Sequence, residues 1–294
     1  MSTNSNAIPP GDALIRFLES ASVEVVSTDK ASIDAAASLF KPGTEVFIAN
    51  LPRHKPEKQI DAAISLRRVG LVPVPHVVAR NLENEAELAS LLRGLRQHAG
   101  VDTALVLGGD RDKPAGTLAS SLQLLETGLF EENGIRNVFL ACYPEGHARI
   151  SQEQLFAART EKLAATSARA LNVTLVSQFC FDPEPIIGWA RTLRAANIHV
   201  PFRVGVAGPA SKVALLKFAL LCGVGPSLRA LKERDKMARN MLAGETPQAL
   251  LRDIATAQME DPGLNIIGAH FFTFGSLVRT AQWIQSVQEA ANTT

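Results

Sequence analysis

The stretch EAELASLLRGLRQHAGVDTALVLGGD, residues 85–110, holds the unit on which the fold turns. Leu88, Leu91, Leu92 and Leu95 recur at the spacing of one helical face, and Gly100 follows the last turn, where a glycine commonly ends a helix. TALVL (103–107) is then a short aliphatic run of strand length. Two glycines, Asp110 and the charged loop RDKPAG come next. A helix feeding a buried strand that opens into a polar loop is the repeating unit of α/β proteins.

The unit recurs along the chain. Strands are expected at VEVV (23–26), EVFIA (45–49), VPVPHV (72–77), TALVL (103–107) and NVFLA (137–141). Three more are expected at TLVSQF (174–179), FRVGVA (202–207) and NIIGA (265–269), with amphipathic stretches such as EKQIDAAISLRRVG (57–70) between strands. Eight strands alternating with helices predict a (β/α)8 TIM barrel, with a doubly wound open sheet as the competing arrangement. The 294 residues suit one such barrel, for which about 250 is typical. No Gly/Ser-rich linker divides the chain, so 1–294 reads as a single α/β domain. A helical insertion is expected around 223–261, where SLRALKERDKMARNMLAG and TPQALLRDIATAQME follow one another, and a flexible N-terminal segment at 1–10.

Composition narrows the function. A net charge of +1 leaves no basic footprint for nucleic acid. Cys142, Cys180 and Cys222 are scattered and odd in number, which disfavours a disulfide framework or a zinc site. No apolar run approaches the roughly 20 residues that span a bilayer, and the polar MSTNSNAIPPGD start lacks a signal core. A cytoplasmic protein with no nucleic-acid or membrane partner is expected, and a homo-oligomer is compatible with these numbers.

In a barrel the chemistry gathers where strands end. The ionisable or amide groups near those points are Glu24, His76, Asp110, Glu145, His147 and Gln178. Glu24, inside the apolar SVEVVS, is either a salt-bridged structural residue or a proton donor whose pKa burial raises. GGDRDKPAG lacks the continuation of a phosphate loop, and a carboxylate has the wrong sign for one. Asp110 therefore reads as a carboxylate facing a transient cation, or as an ordinary turn aspartate. Glu145 and His147 at i and i+2 are too few for a metal site, and none is expected. Gln178 and His76 either satisfy buried neighbours or hold a ligand.

Taken in order, SVEVVS (22–27), PHVV (75–78), LVLGGD (105–110), YPEGH (143–147) and SQFCFD (177–182) resemble the methylenetetrahydrofolate reductase family, over most of the chain from about Ser22 onward. The resemblance implies a TIM barrel and an oxidoreductase that interconverts 5,10-methylenetetrahydrofolate and 5-methyltetrahydrofolate with NADH or NADPH. It implies that Glu24 is the general acid, Asp110 the folate-facing aspartate, and Gln178, with His76, part of the substrate side. A non-redox folate-binding or methyl-transfer protein on the same barrel is the alternative.

The family's cofactor is FAD, and here the sequence departs. Gly109, His147 and Lys162 match flavin-contacting positions. Gly108 stands where flavin-holding members carry the arginine of an RGD triplet, Leu118 where they carry a tyrosine, and Leu155 where they carry an aspartate. Phe272 and Ser276 replace a tyrosine and an arginine often found near the end. The expectation is an enzyme on tetrahydrofolate derivatives that binds FAD weakly or not at all.

Overall fold

The structure, a computed structural model, describes residues 10–52, 54–210, 213 and 246–292. Its strands are β1 (Ser22–Val26), β2 (Glu45–Ala49), β3 (Val72–Val78), β4 (Thr103–Leu107), β5 (Asn137–Cys142), β6 (Asn172–Ser177), β7 (Phe202–Ala207) and β8 (Ile266–Phe272). Each pairs in parallel with the next, and β8 pairs back onto β1 through Ser22–His270 and Val23–Phe271. This closure makes the sheet a TIM barrel and rules out the open one.

The helices are α1 (Pro10–Glu19), α2 (Lys30–Leu39), α3 (Pro56–Arg68), α4 (Glu85–Ala99), α5 (Ser121–Glu126), α6 (Leu129–Glu132), α7 (Gln152–Ala168), α8 (Pro183–Ala195), α9 (Gln248–Glu260) and α10 (Leu277–Asn292). Local chemistry sets their ends. Asn84 caps α4 by accepting from Glu87 N–H, and Gly100 closes it at φ 57°. Ser120 and Ser151 begin α5 and α7 with reciprocal capping boxes, while Asp182 and Pro183 open α8.

Alternation along each strand sorts side chains into two cores. Val23 and Val25 of β1, with Leu88, Leu92 and Leu95 of α4, belong to the shell between sheet and helices. Phe47, Val74, Leu105, Phe139 and Val176 fill the lumen, so the barrel is a packed core. The Arg203–Glu45 ion pair is formed near the N-terminal face, with the Arg203 guanidinium 5.5 Å from the Phe139 ring.

Two strand ends differ from expectation, and both move site residues. β6 spans 172–177 rather than 174–179, because Gly205 N–H donates to the Ser177 hydroxyl at 2.8 Å and the ladder with β7 is confined to Leu175 and Val176. Gln178 consequently lies just past the strand. β8 runs on to Phe272, paired with Ala207, which carries His270 into the barrel wall.

Within the interval 223–261, α9 buries Leu250, Leu251, Ile254 and Ala255 and packs on α1 and α8, as a helix joining β7 to β8 does. Residues 223–245 and 1–9 lie outside the described residues. Among the described residues no helix is long and apolar enough to cross a membrane.

Candidate functional site

Glu24 faces the lumen because its neighbours Val23 and Val25 face the shell. It stands in register with Phe47, whose ring packs against those of His76 and His270 at centroid distances of 6.1 and 4.3 Å. His76 Nε2 is 3.4 Å and His270 Nε2 3.8 Å from Glu24 Oε2. The far nitrogen of His270, Nδ1, shares a 2.9 Å hydrogen bond with the Ser22 hydroxyl. Thr273 Oγ1–H donates to the Glu24 carbonyl at 2.7 Å, fixing the strand backbone beneath the carboxyl.

The electrostatics follow from burial. Only a fifth of the Glu24 side chain is exposed, and loss of water raises its pKa, with His76 opposing to a lesser degree. The same burial lowers His76 to about 4, against the pull of Glu24 and with the help of His270. It lowers His270 to about 3, where Arg203 adds to the effect and Glu45 opposes it. Both imidazoles are therefore neutral at physiological pH. Glu24 is biased toward its protonated form, the state a general acid needs.

Asp110 occupies the turn after β4 and is exposed. Gly109 before it has φ 100°, and a Cβ there would come within 2.5 Å of Val78 Cγ1. The glycine that matches a cofactor position is thus required by the close approach of the loop to the end of β3. Asp110 lies near His147, whose pKa it raises while burial and Arg149 lower it more. His147 Nδ1 accepts from Arg149 N–H at 3.1 Å, which leaves the proton of the neutral ring on Nε2, and its ring meets Tyr143 edge-on at 5.1 Å.

Glu145 has a structural task. Its Oε1 accepts from the N–H groups of Phe181 and Asp182 at 2.9 and 3.1 Å, tying the loop after β5 to the loop after β6. Gln178, half-buried in that second loop, spends its carbonyl oxygen on Phe179 N–H at 3.0 Å. Lys162 is half-buried on α7 near the Cys142 thiol, on the shell side of β5, and burial lowers its pKa. The structure brings Glu24 and His76 together and places Asp110 within electrostatic reach of His147; Lys162 joins neither pair. Among the described residues no three His, Cys, Asp or Glu side chains gather as metal ligands.

His270, Ser22 and Thr273 belong to the site although sequence reasoning did not select them. The strand expected at NIIGA (265–269) stops one residue short of His270, and its extension to Phe272 turns His270 inward with Glu24. Phe272 meets His270 edge-on at 4.9 Å and stacks with Phe274 at 6.3 Å and 21°. Phe274 holds φ 49°, an uncommon backbone for a bulky residue. Both rings also pack edge-on against Phe179, giving an aromatic wall next to His270. A cleft of about 360 Å³ lined by Lys41, Thr44, Glu45 and Arg203 opens at the other end of the barrel, away from this constellation.

No protein-family model matches the chain. Among solved structures, it is similar to a proposed phosphonomutase from Burkholderia cenocepacia J2315 at 10% identity, covering 97% of this chain and 99% of that one with a TM-score of 0.50. It is also similar to the dihydropteroate synthase FolP from Thermus thermophilus at 12% identity, covering 92% and 93% with a TM-score of 0.49. Both are distant likenesses, and what the first shares with this chain is the fold alone.

Proposed function

We propose that the protein transfers hydride between a nicotinamide and one-carbon tetrahydrofolates, interconverting 5,10-methylenetetrahydrofolate and 5-methyltetrahydrofolate. The observation that carries this reading is Glu24, a lumenal carboxylic acid biased toward protonation and flanked by two neutral imidazoles. Opening the five-membered ring of the methylene compound requires a proton on the leaving nitrogen, and Glu24 supplies it. The iminium cation so formed is stabilised by the Asp110 carboxylate. Gln178 keeps its NH2 group for the pterin, its oxygen being engaged by Phe179 N–H. Hydride addition to the iminium carbon completes the methyl group. In reverse, Glu24 takes the proton back as the ring closes, so the same residues serve oxidation.

The residues at the family's flavin-contact positions do not fit a bound flavin dinucleotide. Gly108 has no side chain to offer, Leu118 is buried in the shell core, Leu155 is apolar, and Lys162 is turned to Cys142. A charged hydrogen bond is worth roughly 1.5–3 kcal/mol, so losing two or three weakens binding by orders of magnitude. Hydride then passes directly between nicotinamide and folate, next to the aromatic wall of Phe179, Phe272 and Phe274.

The test mixes protein, 5-methyltetrahydrofolate and NAD+ or NADP+, with and without added FAD, and follows nicotinamide absorbance. Flavin-independent turnover that collapses in Glu24→Gln and Asp110→Asn supports the reading. Turnover untouched by both substitutions refutes the site. Folate binding without turnover points to the non-redox alternative, and a stoichiometric flavin spectrum in the purified protein overturns the flavin-free route.

A further inference from the structure

We infer that Arg80 is a positioning residue that holds the Asp110 loop in its working geometry, an inference that rests on the folate-facing role proposed for Asp110. Arg80 lies in the 3-10 turn (Ala79–Asn81) that follows β3, so it comes from a different strand unit than the loop it grips. Its Nε–H donates to the Ala119 carbonyl at 2.9 Å, and its Nη1 donates to the Arg111 carbonyl at 2.8 Å and, more weakly, to the Asp112 carbonyl at 3.5 Å. The main chain of the same residue adds two bonds. Arg80 N–H donates to the Gly108 carbonyl at 2.9 Å, and its own carbonyl accepts from Ala115 N–H at 3.0 Å.

These contacts bracket Asp110. The Gly108 carbonyl lies two residues before it and the Arg111 carbonyl belongs to the next residue, so the peptide segment carrying the carboxylate is pinned at both ends by one arginine. Gly109 allows the close approach, since any Cβ there would strike Val78. Of the other ties on this loop, Thr117 N–H donates to the Glu83 carbonyl at 3.0 Å, and Asp112 to Arg149 at 3.5 Å is solvent-exposed and correspondingly weak. Two donors on separate atoms, Nε and Nη1, reach carbonyls eight residues apart in sequence. A lysine has a single nitrogen and cannot reproduce that fork.

A carboxylate that stabilises a transient cation works only at the right distance, and a misplacement of about 1 Å can cost on the order of 100-fold in rate. The Arg80 guanidinium is spent on main-chain carbonyls rather than on the carboxylates of Asp110 or Glu24, so its effect must pass through the loop. That requirement makes the idea testable by non-additivity.

The experiment compares Arg80→Met, Arg80→Lys, Asp110→Asn and the double variant Arg80→Met/Asp110→Asn in the full-length protein. Arg80→Met is expected to lower kcat/KM by about 10- to 100-fold, and the double variant to be no slower than Asp110→Asn alone. Arg80→Lys is expected to behave like Arg80→Met; recovery of turnover by lysine overturns the clamp in favour of a simple charge effect. Losses that multiply in the double variant also overturn it. Hydrogen exchange of the peptide covering residues 108–119 supplies a readout that needs no substrate. Exchange at Ala115 and Thr117 should quicken in Arg80→Met while the strands stay protected, and an unchanged rate refutes the clamp. If the wild-type protein turns over no folate but exchange quickens as expected, the proposed reaction fails and the clamp on the loop stands.

Discussion

His270 links Ser22 to Glu24: its Nδ1 shares a 2.9 Å hydrogen bond with the serine hydroxyl, and its Nε2 is 3.8 Å from the glutamate Oε2. The pairing follows from register, since Ser22 and His270 are Cα partners on β1 and β8 and Glu24 is the next lumenal residue up the same strand. A neutral imidazole anchored through Nδ1, with Nε2 beside the carboxyl, gives Glu24 no cationic partner. Burial, rather than ion pairing, therefore dominates the chemistry of Glu24.

Glu24→Gln is expected to lower turnover by about 100- to 10,000-fold, the usual worth of a positioned proton donor. It should also stabilise the fold at neutral pH. The raised folded-state pKa means that the stability tied to the neutral carboxyl is fully present below the unfolded value of 4.5 and is lost as pH rises through the folded value. The amide keeps the neutral form at every pH. Urea titrations at pH 7 and pH 4 should therefore show the variant ahead at the higher pH, with the gap closing at the lower one. An equal gap at both would contradict the burial account.

The two buried histidines set the acid limit. Their folded pKa values, about 4 for His76 and about 3 for His270, lie below the ordinary 6.5. The stability they contribute is present above 6.5 and is lost as pH falls through the folded values, because the unfolded chain takes up protons first. Stability should fall progressively from pH 6.5 toward pH 3. His76→Gln, neutral throughout, should flatten the slope between 6.5 and 4. Equilibrium unfolding at several pH values measures it, and an unaltered slope would count against a neutral buried His76.

Phe47→Ala should cost about 3–5 kcal/mol of stability, as truncations of fully buried aromatics do. Phe47 packs on Phe139, His76 and His270 and is the register partner of Glu24, so the cavity opens beside the site. Thermal melts report the loss. Water entering the cavity would also return the His270 pKa toward 6.5, which proton NMR of the ring resolves.

The barrel is legible in the sequence because parallel strands buried on both faces read as short aliphatic runs, and glycines and prolines punctuate the helices between them. Glu24 is legible as a carboxylate inside SVEVVS. His270 is not, since it lies just past the NIIGA run. Only cross-strand register makes it a neighbour of Ser22 and Glu24. Arg80 carries no local signal either: it holds the Asp110 loop from another strand's turn, a relation that sequence spacing does not encode.

Gly108 and its neighbour Gly109 separate packing from chemistry. At Gly109 the φ of 100° and the 2.5 Å approach to Val78 make alanine costly, by about 1–3 kcal/mol from strain and overpacking. At Gly108 an added Cβ meets nothing nearer than Ser121 N at 4.0 Å, and the backbone is outside the left-handed region. The backbone therefore accepts a side chain at its Cβ where the resemblance implies an arginine that the sequence omits. Gly108→Arg is expected to fold with an almost unchanged melting temperature and to bind FAD about 10- to 150-fold more tightly, the equivalent of one charged hydrogen bond of roughly 1.5–3 kcal/mol. Titration of flavin fluorescence against wild type, Gly108→Arg and Gly108→Ala measures the change. A gain in the arginine variant alone ties weak flavin binding to that missing side chain. Equal affinity in all three would place the cause with Leu118, Leu155 and Lys162 instead.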